Sequence, residues 1–152
     1  MIWAAQYIGI PWGAGAQGPD AYDCWAFFRM VQAHHFGIAV PVVIAPDYAD
    51  KTALAGLFGE HEERHRWIAT VTPRHGDAVI IHKPMHIGVW LDIDGGGVLH
   101  CARGCGVIFT SDAAWRMSGF GRREFFRFAG ELPSPQSSPT SGRGGKREGR
   151  LI

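Results

Sequence analysis

Four short segments in the second half of the chain restrict the fold more than any other feature. "DAVIIHK", "HIGVWLDI", "GVLHCA" and "GVIFT" follow one another, each rich in β-branched residues. Turn signals separate them: Lys83-Pro84, Asp94-Gly95-Gly96-Gly97 and Arg103-Gly104. Segments this short, joined this tightly, read as sequential antiparallel strands. "REFFRF" reads as a last strand, and "SDAAWRM" as one helical turn or more, capped by Ser111.

The first half has a different period. From Asp23 to about Phe36, the residues Ala26, Phe27, Met30, Val31 and Ala33 give a helix one apolar face, and Gly37 is a natural stop. Met1 to Ile8 suits a short helix ended by Gly9 and Pro11. "PWGAGAQGPDAY" is a glycine-rich loop, "VPVVIAPDYAD" leads to a second helical stretch near Asp47 to Phe58, and "EHEERHRW" is polar enough to be exposed. N-terminal helices followed by an antiparallel meander make an α+β fold, the helices packed on the sheet.

A chain of 152 residues suits one domain that buries roughly 70% of its unfolded surface. That domain spans residues 1–130; residues 131–152, "ELPSPQSSPTSGRGGKREGRLI", are a flexible Ser/Pro/Gly/basic tail. The tail's Arg/Lys cluster reads as a solvated terminus rather than a polyanion contact. A formal charge of +1 leaves no global field to draw in nucleic acid or an anionic membrane, so no nucleic-acid partner is expected. No apolar run reaches the ~18 residues of a membrane span. The start, "MIWAAQYIGIPWGAG", lacks a basic n-region and a full apolar core, so no signal peptide is expected. Synthesis is then cytoplasmic, and something other than this N-terminus delivers the protein. Three cysteines are too few for a disulfide framework, and the odd count leaves at least one thiol unpaired.

One cysteine has an unusual address. In "YDCWAFFRMVQ", Asp23 is placed to cap the helix, and Cys24 occupies the first helical position. The helix dipole favours an anion there and lowers thiol pKa, while the Asp23 charge opposes it. A nearby imidazole would serve as base and counter-ion. Two histidines are candidates. A turn centred near Asp94 and Gly95 sets His86 opposite or diagonal to His100. His86, Gly88, Trp90 and Asp92 face one way along their strand, Ile87, Val89, Leu91 and Ile93 the other, so His86 lies off the apolar face. A cysteine at a helix start with two strand histidines resembles a Cys-His-polar triad.

The loop and helix "IGIPWGAGAQGPDAYDCWAFFRMV", the Gly-Asp of "RHGDAVII", the strand "MHIGVWL" and "GVLHCARGCGV" occur in an order and spacing that resemble the NlpC/P60 cysteine peptidases, from about Ala5 to Phe128. The "DCW" form, with "FGIAVP" after the helix, looks most like the branch of phages, prophages and gene-transfer agents, where it is a tail-associated cell-wall peptidase. The resemblance implies a papain-like α+β fold, no metal or cofactor, and hydrolysis of peptidoglycan stem peptides, often at the D-glutamyl-diaminopimelate bond. Its partners would be the stem peptide and other phage tail proteins, and it would act in a virion tail or at the cell wall. Cys24 then matches the nucleophile, His86 the base and His100 the residue that orients it. Gly76-Asp77 matches a structural turn, and Asp23 a position that holds the substrate's amine in some members. Members usually carry Tyr where this chain has Trp12, and many carry Ser where it has Trp25; both tryptophans become candidates for substrate contact.

The resemblance implies that the Cys24 thiolate attacks the amide carbonyl. The Cys24 backbone N–H and a donor from the Trp12 to Gln17 loop would hold the oxyanion. His86 would protonate the leaving amine and then help water cleave the thioester. One thiol should therefore react well below the ordinary value of about 8.5. Rival readings are a non-catalytic tail module of the same fold, an amidase or acyltransferase on that fold, and a zinc site built from His100, Cys101 and Cys105. Cys101 and Cys105 could also form a disulfide or pack as small apolar residues. His34 and His35 read as structural, His61 and His65 as solvated, and His75 and His82 have no partner that the sequence identifies.

Overall fold

Glycine and proline between the β-branched segments set the hairpins, and the strands between them form as expected. The computed structural model describes residues 2–40 and 66–130. Strands β1 (Trp67–Thr70), β2 (Ala78–His82), β3 (Met85–Leu91), β4 (Gly97–Ala102), β5 (Gly106–Ser111) and β6 (Arg123–Phe128) make one sheet in the order β1-β6-β2-β3-β4-β5. All of its neighbouring pairs are antiparallel. β2 to β5 are the expected meander. β6 does not extend it past β5; it crosses back to pair with β2 and β1. β1 begins at the last residue of "EHEERHRW", a stretch expected to be exposed, yet that residue, Trp67, is fully buried against Phe28 and Phe128.

Helix α1 (Ile2–Ala5) is shorter than the stretch from Met1 to Ile8, which continues as turns through Tyr7 and Ile8. Helix α2 (Cys24–Phe36) starts on its Asp23 cap and stops at Gly37, which adopts the left-handed φ of 68° that terminates helices. Helix α3 (Trp115–Ser118) begins one turn later than "SDAAWRM" suggests. The Ser111 hydroxyl accepts from the Ala114 N–H and shapes the preceding turn, not the helix itself. Among the described residues, no helix is long and apolar enough to cross a membrane. The second helical stretch near Asp47 to Phe58, His61, His65 and the tail from Glu131 lie outside the described residues.

The sheet separates two cores. Phe27, Phe28 and Val31 of α2 pack with Ile87, Val89, Leu91, Leu99 and Cys101 on one face. Val79, Ile81, Trp90 and Val98 pack with Trp115, Phe120 and Phe125 on the other. Strand alternation produces this division directly, since successive side chains of β3 and β4 point to opposite faces. The Gly76-Asp77 turn joins both parts. Asp77 accepts from the Arg127 guanidinium at 2.8 Å and 3.2 Å and from the Arg74 N–H, and Gly76 O accepts from Gln32 of α2.

Candidate active site

The start of α2 is fixed from three sides. The Asp23 backbone is extended, and its carboxylate accepts from the Ala26 N–H at 2.7 Å, satisfying a first-turn donor. The loop before it folds onto itself: Tyr22 N–H donates to Pro11 O, Gly13 N–H to Tyr22 O, and Asp23 N–H to Ala16 O. Gly9 and Ile10 then bond the start of β5 at Val107. Ile10 O comes so close to Gly106 that a Cβ there would lie 2.5 Å from it, so only glycine fits. Finally, the Cys101 thiol donates to Tyr22 O at 3.3 Å, tying β4 to the residue two before Cys24.

Cys24 is 2% exposed, with the backbone N–H groups of Ile87 and Trp25 directed at its sulfur. This places the nucleophile candidate against β3 at the residue next to His86. Burial pushes the thiol up to about 12, and the Asp23 charge adds to the rise, while the two N–H groups oppose it. The expectation of a low thiol pKa from the helix dipole is thus corrected: desolvation outweighs the dipole and the amide donors. Cys101 is also pushed up to about 12 by burial and by Asp23.

His86 and His100 meet as the meander register requires. Gly88 pairs with His100 across β3 and β4, so His86 is diagonal to His100 on the same face. His86 Nε2 lies 2.8 Å from His100 Nδ1, His86 Nδ1 lies 2.7 Å from Pro84 O, and His100 Nε2 lies 3.0 Å from Thr110 Oγ1. The rings are 4% and 0% exposed, stacked on each other and walled by Phe120 and Trp115. Burial lowers His86 to about 4 and His100 well below the usual imidazole range, so both are neutral at neutral pH. Gly88 makes the meeting possible: a Cβ there would lie 2.7 Å from Val98 Cγ1 and 2.8 Å from His100 Cβ. Sequence reasoning placed Gly88 on the histidine face without giving it a role; the His-x-Gly spacing was the available signal. Thr110 was missed because nothing local marks it.

The thiol approaches β3 from the α2 face, whereas the rings alternate to the Trp115 face. No hydrogen bond joins the Cys24 sulfur to either ring among the described residues. The remaining candidates divide. Trp12 is half-buried, bridged to Tyr22, with the Arg103 guanidinium 5.2 Å above its ring. Asp23 is buried as the helix cap. Trp25 is 2% exposed beside Phe28, a core position that offers no open surface to a substrate. His100 and Cys101 bond partners on opposite faces of β4, and Cys105 is an exposed free thiol. The three therefore cannot surround one zinc ion, and Cys101 and Cys105 form no disulfide.

Three of the other described histidines have side-chain or backbone partners. His35 stacks on Trp3 and bonds the Tyr7 hydroxyl, His75 accepts from the Asp92 N–H, and His82 contacts the Glu124 carboxylate. A cavity of about 570 Å³ backs the imidazole pair, lined by Asp112, Trp115, Arg116, Phe120, Arg123 and Phe125 among others. Arg123 is paired with Asp112 at 2.8 Å in its lining.

No curated protein matches the chain. Among solved structures, it is similar to the NlpC/p60 domain of the peptidoglycan hydrolase SagA, with 21% identity and a TM-score of 0.50, over 80% of this chain and 90% of that one. That likeness establishes the mixed helix and antiparallel-sheet fold. The NlpC/P60 family profile matches residues 9–120, which include Cys24, both histidines and Thr110. On that match and that fold, the chain belongs to the NlpC/P60 family.

Proposed function

We propose that the protein is a cysteine hydrolase of peptidoglycan stem peptides, with Cys24 as nucleophile, His86 as base and His100 orienting it. The observation that carries this reading is the buried His86–His100 pair at 2.8 Å, set on β3 next to the residue whose N–H faces the Cys24 sulfur. The solved SagA domain belongs to a peptidoglycan hydrolase, which supports the same substrate class. The "DCW" and "FGIAVP" segments support a tail-associated wall peptidase of phage or prophage type, and the family resemblance supports the D-glutamyl-diaminopimelate bond.

The thiol and imidazole rest neutral, so the proton moves during attack instead of standing as a preformed ion pair. Substrate binding brings sulfur and ring together. The sulfur then adds to the amide carbonyl, and its proton passes to His86. The Cys24 backbone N–H holds the oxyanion. Gly13 and Ala16 of the preceding loop already spend their N–H groups within it, so any loop donor comes from elsewhere in the loop. His86 gives its proton to the leaving amine, and water cleaves the thioester.

Incubation with defined stem peptides, followed by mass analysis of the fragments, names the bond. Wild type releases fragments and Cys24→Ala releases none; equal release refutes the nucleophile. The lack of a hydrogen bond between thiol and rings favours a second reading, a non-catalytic tail module of this fold. Binding of peptidoglycan without release by wild type would select it. Transfer of the acyl group to an added amine would instead select an acyltransferase.

A further inference from the structure

A guanidinium held among aromatic rings keeps its N–H groups in one fixed fork. Arg123 is held so: the centre of its guanidinium lies 4.5 Å from the middle of the Trp115 ring, 5.5 Å from that of Phe125 and 6.0 Å from that of Trp90. Its Nη2 bonds Asp112 at 2.8 Å, whereas Nη1 is buried and has no hydrogen-bond partner. Buried donors ordinarily have acceptors, so this fork is only half engaged. Arg123 lines the cavity of about 570 Å³, a volume within the range of small-ligand sites. Exposed Arg116 and Arg122 line it as well, and Asp112 is the one acidic residue of the lining among the described residues. Arg122 bonds Glu124 at 3.2 Å, and Arg116 has no ion pair among the described residues. Three guanidiniums against one carboxylate favour an anion. Trp115 and Phe120 wall both this cavity and the imidazole pair; the Phe120 ring centre lies 5.6 Å from that of His86 and 4.9 Å from that of His100.

We propose that this cavity is a carboxylate subsite for the leaving side of the peptide substrate, with Arg123 as its specificity-determining residue. The proposal rests on the stem-peptide reading. There, His86 protonates the leaving amine, so the leaving residue stands at the His86 ring, and Phe120 joins that ring to the cavity. In a D-glutamyl-diaminopimelate bond the leaving residue is diaminopimelate, whose side chain ends in a carboxylate. That carboxylate takes the place of Asp112 on Nη2 and engages Nη1 as well, the paired geometry in which arginine binds carboxylates best. The Asp112 side chain is half exposed, so once displaced it turns into water. Asp112 thus competes with the ligand for the fork. Arg116 and Arg122 add attraction from the rim. A lysine stem residue has the same chain without the carboxylate, and the subsite discriminates against it.

Calorimetric binding of two stem tetrapeptides, one with diaminopimelate and one with lysine, tests this in a Cys24→Ala background, with cleavage of both peptides measured separately on the wild-type protein. The diaminopimelate peptide should bind roughly tenfold more tightly. Adding Arg123→Gln should erase that preference by weakening the diaminopimelate peptide alone. Adding Asp112→Asn should widen it several-fold, the reverse of what losing a structural ion pair would do. Equal affinity for the two peptides, binding of neither, or an Arg123→Gln loss shared by both peptides overturns the proposal. If Arg123→Gln does not fold, Asp112→Asn and the exposed Arg116→Gln decide: the first must widen the preference and the second narrow it, and no change in either overturns it. Binding does not require turnover. A protein that discriminates the peptides in this way but cleaves neither refutes the hydrolase reading and leaves the subsite; cleavage of both without discrimination does the opposite.

Discussion

The two faces of the β3–β4 pair carry the two halves of the candidate site, and they are held by different forces. On the α2 face, Cys24 sits among Ile87, Leu99 and Cys101, where close apolar packing fixes the sulfur. On the opposite face, His86 and His100 are fixed by three directional hydrogen bonds and two aromatic walls. Burial acts on both but with opposite sign: it keeps the thiol protonated and the imidazoles unprotonated. The two faces thus store a resting, uncharged pair instead of a standing thiolate–imidazolium pair. Loss of the apolar packing around Cys24 should appear as lost stability, and displacement of the two rings as lost chemistry.

The largest stability effect is expected on the α2 face. Leu99→Ala should destabilise the protein by about 2–5 kcal/mol, because a fully buried side chain leaves a cavity between α2 and the sheet. Chemical denaturation measures it; a loss under ~1 kcal/mol would mean that this face is loosely packed. Gly88→Ala acts on the other face. Its new Cβ meets Val98 and His100, an overpacking cost of about 1–3 kcal/mol. It should also push the rings apart and abolish cleavage, while Leu99→Ala retains cleavage in the folded fraction. Equal cleavage by the two variants at low temperature would break the comparison.

Acid should unfold the histidine face first. The folded His86 binds its proton near 4, below the ordinary imidazole value of about 6.5, so the unfolded chain takes up protons earlier as pH falls. For His86, stability is complete above about 6.5 and declines between there and 4, by about 1.4 kcal/mol per pH unit, and His100 adds a loss of the same sign. His86→Phe should remove the His86 share of this acid sensitivity from a denaturation series and leave the share that burial of His100 causes; an unchanged slope would contradict it. The smallest effect is that of Cys101→Ala, which loses one S–H donor to Tyr22 O and should cost about 1 kcal/mol with the fold unchanged.

What could be read in the sequence followed periodicity. β4 matches "GVLHCA" residue for residue, α2 starts at its Asp23 cap and stops at Gly37, and the diagonal relation of His86 to His100 follows from the Asp94–Gly95 turn. Each depends on neighbours a few residues apart. β1 was not legible, because its strand character comes from β6, far along the chain, and Trp67 shows its burial only once Phe28 and Phe128 surround it. The thiol pKa was misjudged for the same reason: the helix dipole is local and visible, whereas desolvation depends on what the whole fold packs around the sulfur. Thr110 became visible only when β5 paired with β4.

The central claim is that sulfur from the α2 face performs chemistry with imidazoles of the opposite face. Quenching the wild-type protein during turnover of a stem peptide and weighing it intact tests this most directly. The account predicts a transient adduct with the mass of the acyl fragment, mapped to the peptide containing Cys24, that disappears as substrate is exhausted and is absent in Cys24→Ala. Product accumulating with no adduct on Cys24, in a protein whose Cys24→Ala variant cleaves equally well, would contradict it.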